Sequence, residues 1–287
     1  MNHKPPAQPV FQLYRYQILP LSRQGFLPLP GVQSLDDLIA RKNEIFAHAL
    51  GSIEKFQHPK GEIIHRLIVD ERDIVILRMG ALKKVHLHKR DFSEKQEEDW
   101  PSILILINND PDVQTVAIQL DFKVFRRTRT VAQILEDNLN VVLRRENLGV
   151  YFEPQFEKSD FWATVEKYPN RIVEASFDLV SPNMANIRQS LTIDLGALNK
   201  STNTRRTVIE LNSDPGATLT LSPEDPILTG LVDYASKGGG PIKLKIQGLR
   251  RSITTTNRVK EIIVDELSLE TNDPKLLAST LESLLDE

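Results

Sequence analysis

The chain has 287 residues, of which 40% are hydrophobic and 26% are charged. This is the composition of a globular protein, and it excludes collagen-like, coiled-coil and intrinsically disordered chains. The chain contains no cysteine, which excludes disulfides, Cys-ligated metals and a thiol nucleophile. The N-terminal residues lack the apolar core of a secretory signal, and the longest aliphatic run, 103–107, is far too short to span a membrane. We therefore expect a soluble, cytoplasmic protein.

The first half of the chain predicts two helices among several strands. Ser34 can cap a helix whose first turn holds Asp36 and Asp37, where the helix dipole favours acidic side chains. A second apolar pattern of helical spacing runs from Thr130 to Leu143. Alternating or continuous apolar runs predict strands at 10–19, 63–69, 74–79, 85–88, 103–107 and 116–125.

The second half of the chain repeats this mixture. The apolar patterns predict helices at 159–166, 185–198, 226–236 and 275–285, and strands at 150–152, 171–180, 207–211, 218–221, 242–247 and 259–267. Irregular alternation of hairpins and helices favours an α+β fold with mixed or antiparallel sheets over a doubly wound or barrel fold. We expect two subdomains, an N-terminal one over 1–148 and a C-terminal one over 149–287, which contains a basic strand and an acidic C-terminal helix.

The formal net charge of −3 hides an asymmetry along the chain. Residues 261–287 contain eight acids and one base, a net of −7, so residues 1–260 contain 35 bases and 31 acids, a net of +4. The stretch 237–260 contains seven bases and no acid. The acidic terminal helix, which has an apolar stripe, could lie over this basic stretch and compete with phosphate for its cations.

The basic stretch predicts a surface for nucleic acid. Lys243 and Lys245 share one face of an alternating strand, and Arg250 and Arg251 follow directly. Several cations on a rigid strand can contact successive phosphates without reading sequence. The glycines at 238–240 could let backbone amides approach a phosphate. A second basic cluster supplies further candidate phosphate contacts, namely Arg126, Arg127 and Arg129. The alternative interpretation is that these lysines only face solvent and protect an exposed strand from aggregation.

Two other patterns suggest metal chemistry. Asp112, with Asp121 and Lys123 on one face of the predicted strand 116–125, resembles the Asp…Asp/Glu-x-Lys pattern of metal-dependent nucleases. His86 and His88 also share a strand face, but they lack a nearby carboxylate in the sequence, so a basic strand end is the better interpretation. We expect no catalytic residues, no metal and no cofactor, and we keep the nuclease as an alternative.

The order of elements between 100 and 180 resembles that of RexA-type phage-exclusion proteins. The residues that carry the resemblance are a Trp-Pro-Ser-Ile-Leu-Ile entry to a strand at 100–105, a second strand at 116–119, the helix from Thr130, and the segments 150–154 and 171–175. The resemblance implies a homodimer that binds double-stranded DNA with little sequence preference and acts in phage exclusion. A protein–protein interaction subunit of a defence complex is the remaining alternative, because the acidic tail and basic strand could pair with a partner or a second copy.

Overall fold

The computed structural model describes residues 8–22, 32–59, 61–71, 73–88, 90–180, 202, 204, 206–264 and 279. The helices predicted at 185–198 and 275–285 lie outside the described residues. The helices are α1 Leu35–Ser52, α2 Thr128–Leu143, α3 Lys158–Lys167 and α4 Pro226–Tyr234. The strands are β1 Val10–Pro20, β2 Ile63–Glu71, β3 Ile74–Ala81, β4 Lys83–His88, β5 Glu94–Asp99, β6 Ser102–Asn108, β7 Thr115–Gln119, β8 Leu148–Pro154, β9 Ile172–Val180, β10 Arg206–Asn212, β11 Ile242–Ile246, β12 Ile253–Thr254 and β13 Glu261–Ile263.

The largest sheet is antiparallel and is built around β1. Its order is β13-β1-β7-β6-β3-β2. β13 pairs with residues 10–12 of β1, and β8 pairs with residues 14–20 of the same strand. Alternation along β1 turns Tyr14, Tyr16 and Ile18 into one core, which α1 and α2 complete. Phe11 and Leu13 point to the opposite face and enter a second, smaller cluster. The strand is therefore buried on both faces.

A second antiparallel sheet has the order β10-β9-β11-β12. Ala175, Phe177 and Leu179 of β9 are buried in a separate core, which also contains residues of α3 and α4. The intervening residues of β9 point to the outer face, and the partner strands alternate in the same way. The predicted α+β fold with antiparallel sheets is confirmed.

The second sheet and its helices are inserted between two strands of the first. β8 starts at the predicted boundary at 148/149 and lies almost entirely in the predicted C-terminal subdomain, yet it pairs with β1 through 148–154. The core of the second sheet begins at Phe156, and β13 returns to β1. Where the chain leaves and re-enters the first sheet, the amide of Lys260 donates to the carbonyl of Gln155 at 2.8 Å. Adjacent entry and exit points are typical of an inserted domain.

Apart from shifts of a few residues at strand ends, the strand predictions are wrong in three main places. The strand at 116–125 ends at Gln119, because the amides of Val124 and Phe125 donate to the carbonyl of Asp121 and close a turn. Residues 218–221 form no strand, and β10 pairs with β9 instead of with them. Residues 94–99, where no strand is predicted, form β5, which pairs with β4 in a separate two-stranded hairpin. None of the described helices is both long and apolar enough to cross a membrane.

Candidate nucleic-acid interface

The two lysines of the basic strand lie on the outer face of the second sheet, as the alternation predicts. Both side chains are exposed, while Ile242, Leu244 and Ile246 of the same strand are buried. Lys243 is opposite Ser176 of β9, and Lys245 is opposite Glu174. The ammonium of Lys245 lies 3.5 Å from the Glu174 carboxylate, so part of its charge is compensated within the protein.

Other bases of the 237–260 stretch are also paired with carboxylates that lie outside it in the sequence. Lys237 lies 2.8 Å from Asp233, and Arg258 lies 2.7 Å from Asp160. The ammonium of Lys260 is 3.7 Å from Glu157. The sequence of the stretch, which contains no acid, therefore suggests more uncompensated positive charge than the folded protein has. Three of its bases have no carboxylate within ion-pair distance among the described residues, namely Lys243, Arg250 and Arg251.

The three glycines at 238–240 have a structural role and do not face an open phosphate site. All three are buried. A Cβ atom at Gly239 would lie 2.4 Å from the ring of Tyr234, and one at Gly240 would lie 2.0 Å from the carbonyl oxygen of Asp178. Contacts this close require glycine. The interpretation of these glycines as a phosphate loop is therefore wrong, since protein atoms already occupy the space beside them.

The second basic cluster lies at the N-terminal end of α2. Arg127 is the N-cap residue, and its side chain forms no capping hydrogen bond. The first turn of α2 contains no acidic residue that could offset the positive end of the helix dipole. Arg126, Arg127 and Arg129 are all exposed. Cations at this end of a helix are unfavourable by ~0.3–1 kcal/mol each, because the dipole is positive there. Within the described part of the chain, Arg126 and Arg127 have no carboxylate within ion-pair distance.

The carboxylate of Glu153 interacts with Arg129 of the second basic cluster and with Arg206 of β10. Glu153 is on β8 and only 9% exposed. Burial raises the pKa of its carboxyl, and the charges of Arg129 and Arg206 partly oppose that change. Arg206 lies 3.9 Å from Glu153 and forms two hydrogen bonds with Asp178, at 2.8 and 2.9 Å. Asp178 is on the outer face of β9, so this network connects the start of α2 to the face that holds Lys243.

The residues of the nuclease pattern are not brought together. Asp112 lies in the turn before β7, and Asp121 lies in the turn after it. β7 separates them by about 14 Å, at roughly 3.4 Å per residue. Asp121 accepts a hydrogen bond from the amide of Lys123 at 2.8 Å and so closes its own turn. The two carboxylates are too far apart to bind one Mg²⁺ ion.

The histidine pair has a carboxylate neighbour that its local sequence did not indicate. Glu94 of β5 lies across the hairpin, 3.5 Å from His86 and 3.7 Å from His88. A strand predicted at 91–99 would have placed Glu94 across the hairpin from the two histidines. The sequence does not indicate that strand, because acidic residues are depleted in strands. Across the described ranges, no group of three or more metal-ligating side chains is arranged to hold a metal ion.

Comparisons with known proteins give no relative to this chain. No protein-family model, no curated protein and no solved structure matches it.

Proposed function

We propose that this protein binds nucleic acid through its phosphates, without catalysis and largely without sequence preference. The observation that carries the proposal is the arginine cluster at the start of α2. Three exposed arginines are placed where the helix dipole opposes them, and two have no carboxylate partner among the described residues. An anionic ligand at this helix end would offset that cost, and phosphate has the right charge for it.

The outer face of the second sheet supplies the second contact region in this proposal. Lys243, Arg250 and Arg251 are exposed and have no carboxylate within ion-pair distance in the described segments. They lie on β11 and the turn that follows it. In this proposal the three side chains contact phosphate oxygens, because Lys and Arg bind phosphates without reading the base sequence. The interleaved acids, among them Glu174, limit the affinity.

Binding of labelled DNA duplexes of unrelated sequence, followed by fluorescence anisotropy, tests this function. We expect similar affinity for each sequence, and about tenfold weaker binding when Arg126 and Arg127 are both changed to Gln. Arg41→Gln is the matched control, because Arg41 is a partly exposed arginine already paired with Glu44 at 3.1 Å. Absence of binding by the wild-type chain, or equal loss in the control, would contradict the proposal.

The resemblance to RexA-type proteins extends the proposal. It implies that the ligand is double-stranded DNA, that the protein is a homodimer, and that it acts in phage exclusion, alone or with a defence-system partner. The composition adds the expectation that the protein is cytoplasmic. Sedimentation of the purified chain with and without DNA tests the dimer. Plaque counts on cells with and without the gene test the exclusion.

A further inference from the structure

A cavity of about 220 Å³ lies between α3 and the β11–β12 hairpin. Its apolar lining includes Phe161, Leu244 and Ile253, of which Phe161 and Leu244 are only 1% and 2% exposed. A protein cavity of about 150 Å³ accommodates benzene. The cavity is therefore large enough for one flat heterocycle, but it is too small for a stacked pair.

Some of the polar groups around the cavity are already engaged. The guanidinium of Arg258 donates to Asp160 at 2.7 Å. The hydroxyl of Thr164 donates to the carbonyl of Asp160 at 2.8 Å, and that of Thr255 accepts from the amide of Ile242 at 3.0 Å. These bonds fix the walls and leave the groups little capacity for a ligand.

Four other polar groups at the cavity are open to a ligand. The hydroxyl of Thr254, the amide of Asn257 and the hydroxyl of Tyr168 make no hydrogen bond with any residue that the structure describes, and Lys167 has no ion pair there. An Asn amide presents a donor and an acceptor side by side, which is the pattern that matches the edge of a base. A hydroxyl can contribute either a donor or an acceptor.

One end of the cavity is cationic. Lys167 and Arg171 each lie 5.6 Å from the centre of the Tyr168 ring. Arg171 also donates to the carbonyl of Gln247, at 2.7 Å from one terminal nitrogen. This bond holds the β11–β12 turn, which carries Arg250 and Arg251, to the same end of the cavity. Asn257 and Arg258 lie at the Asp160 end of α3, about 10 Å away for seven residues of helix.

We propose that this cavity binds one unstacked nucleotide of a single-stranded nucleic acid. The base lies against Phe161, Leu244 and Ile253 with its edge toward Asn257, and the phosphate faces Lys167. This inference rests on the phosphate binding of the proposed function, and it departs from the double-stranded ligand that the RexA-type resemblance implies. Bases in a duplex are paired and stacked, so only a single strand can place a base in the cavity without the cost of extrusion.

Tryptophan fluorescence of the full chain tests the cavity directly. Trp162 contacts Phe161 edge to face at 4.9 Å, and Trp100→Phe removes the other tryptophan of the chain. We expect saturable quenching by deoxyadenosine monophosphate and none by inorganic phosphate at the same concentration. Ala163→Leu, which fills the cavity from an exposed helix position, should weaken that binding at least about tenfold. Ser159→Leu, on the same helix but outside the lining, is the matched control.

Competition between a short single strand and its duplex separates the two proposals. We expect the single strand to bind about tenfold tighter in the wild-type chain, and this preference to vanish in Ala163→Leu. If Ala163→Leu fails to fold, Lys167→Gln should weaken binding of the mononucleotide. Equal binding of both forms, unchanged by Ala163→Leu, would overturn the cavity while leaving phosphate binding intact. Binding of the mononucleotide without any DNA binding would overturn both.

Discussion

Gly238 lies directly against the side chain of Arg15. A Cβ atom at position 238 would be 2.4 Å from the Cβ of Arg15, and the backbone there has a φ of +80°. Arg15 belongs to β1 of the first sheet, and one of its terminal nitrogens donates to the carbonyl of Lys237 at 3.3 Å. The glycine therefore lets the inserted unit approach the first sheet, and this approach is part of the junction between them.

Gly238→Ala should destabilise the protein by about 2–4 kcal/mol, because it combines a positive φ with a close approach to Arg15. Gly216→Ala is the matched control. Gly216 has a φ of +83° but no atom within 4 Å of the added Cβ, so its replacement should cost only about 1 kcal/mol. Urea unfolding measures both changes. Equal destabilisation would show that the close approach to Arg15 has no energetic weight.

The buried ammonium of Lys42 leads us to expect that stability depends on pH in the alkaline range. Burial lowers the pKa of its ammonium to about 8, and the charge of Asp112 opposes this only in part. The folded state therefore favours the neutral amine, and the unfolded chain binds more protons between about pH 8 and 10.5. In this window the free energy of unfolding should rise with pH.

Lys42→Met removes the buried charge and should stabilise the protein at pH 7 by up to about 3 kcal/mol, with a gain that shrinks toward pH ~10. Urea unfolding at several pH values measures this effect. Lys55→Met is a control on an exposed lysine. A destabilised Lys42→Met at pH 7 would mean that the ammonium makes favourable contacts that outweigh its burial.

The buried carboxyl of Glu153 leads us to expect the opposite dependence of stability on pH, in the acidic range. Because its folded-state pKa is raised by burial, the folded protein favours the protonated carboxyl, and its stability should fall as the pH rises through that pKa. Glu153→Gln should therefore stabilise the protein at pH 7 and have little effect below pH ~4. Glu166→Gln, on an exposed position of α3, controls for the removal of a charge. Destabilisation at pH 7 would show that Arg129 and Arg206 outweigh the burial.

Nuclease activity is expected to be absent. Plasmid DNA incubated with the protein and Mg²⁺ or Mn²⁺ should remain intact, because Asp112 and Asp121 lie at opposite ends of β7. Degradation that Asp121→Ala abolishes would contradict this expectation and promote the nuclease alternative.

Periodic patterns allowed much of the fold to be predicted, and contacts between distant segments explain what was missed. The alternation in 242–247 gives β11, and the Ser34 cap gives the start of α1, where its hydroxyl accepts from the amide of Asp37. The pairing of β10 with β9, by contrast, depends on burial in a core whose members are far apart in sequence.

The candidate site was predicted in part for the same reason. The exposed lysines of β11 follow from its period of two. The pairing of Lys245, Arg258 and Lys260 with carboxylates does not follow from it, since their partners come from segments roughly 70 to 100 residues away and only the fold brings them close, namely Glu174, Asp160 and Glu157. The burial of the glycines at 238–240 against Tyr234 and Asp178 is likewise a property of the folded chain.

The salt dependence of DNA affinity tests the central claim most directly. Each phosphate contact releases counterions, so the logarithm of the affinity should fall steeply and linearly with the logarithm of salt concentration. Changing Arg126 and Arg127 to Gln should reduce that slope by about 2, roughly one for each arginine replaced. Arg41→Gln should leave the slope unchanged. A wild-type affinity that does not depend on salt, or the same slope in the double variant, would contradict phosphate binding at the start of α2.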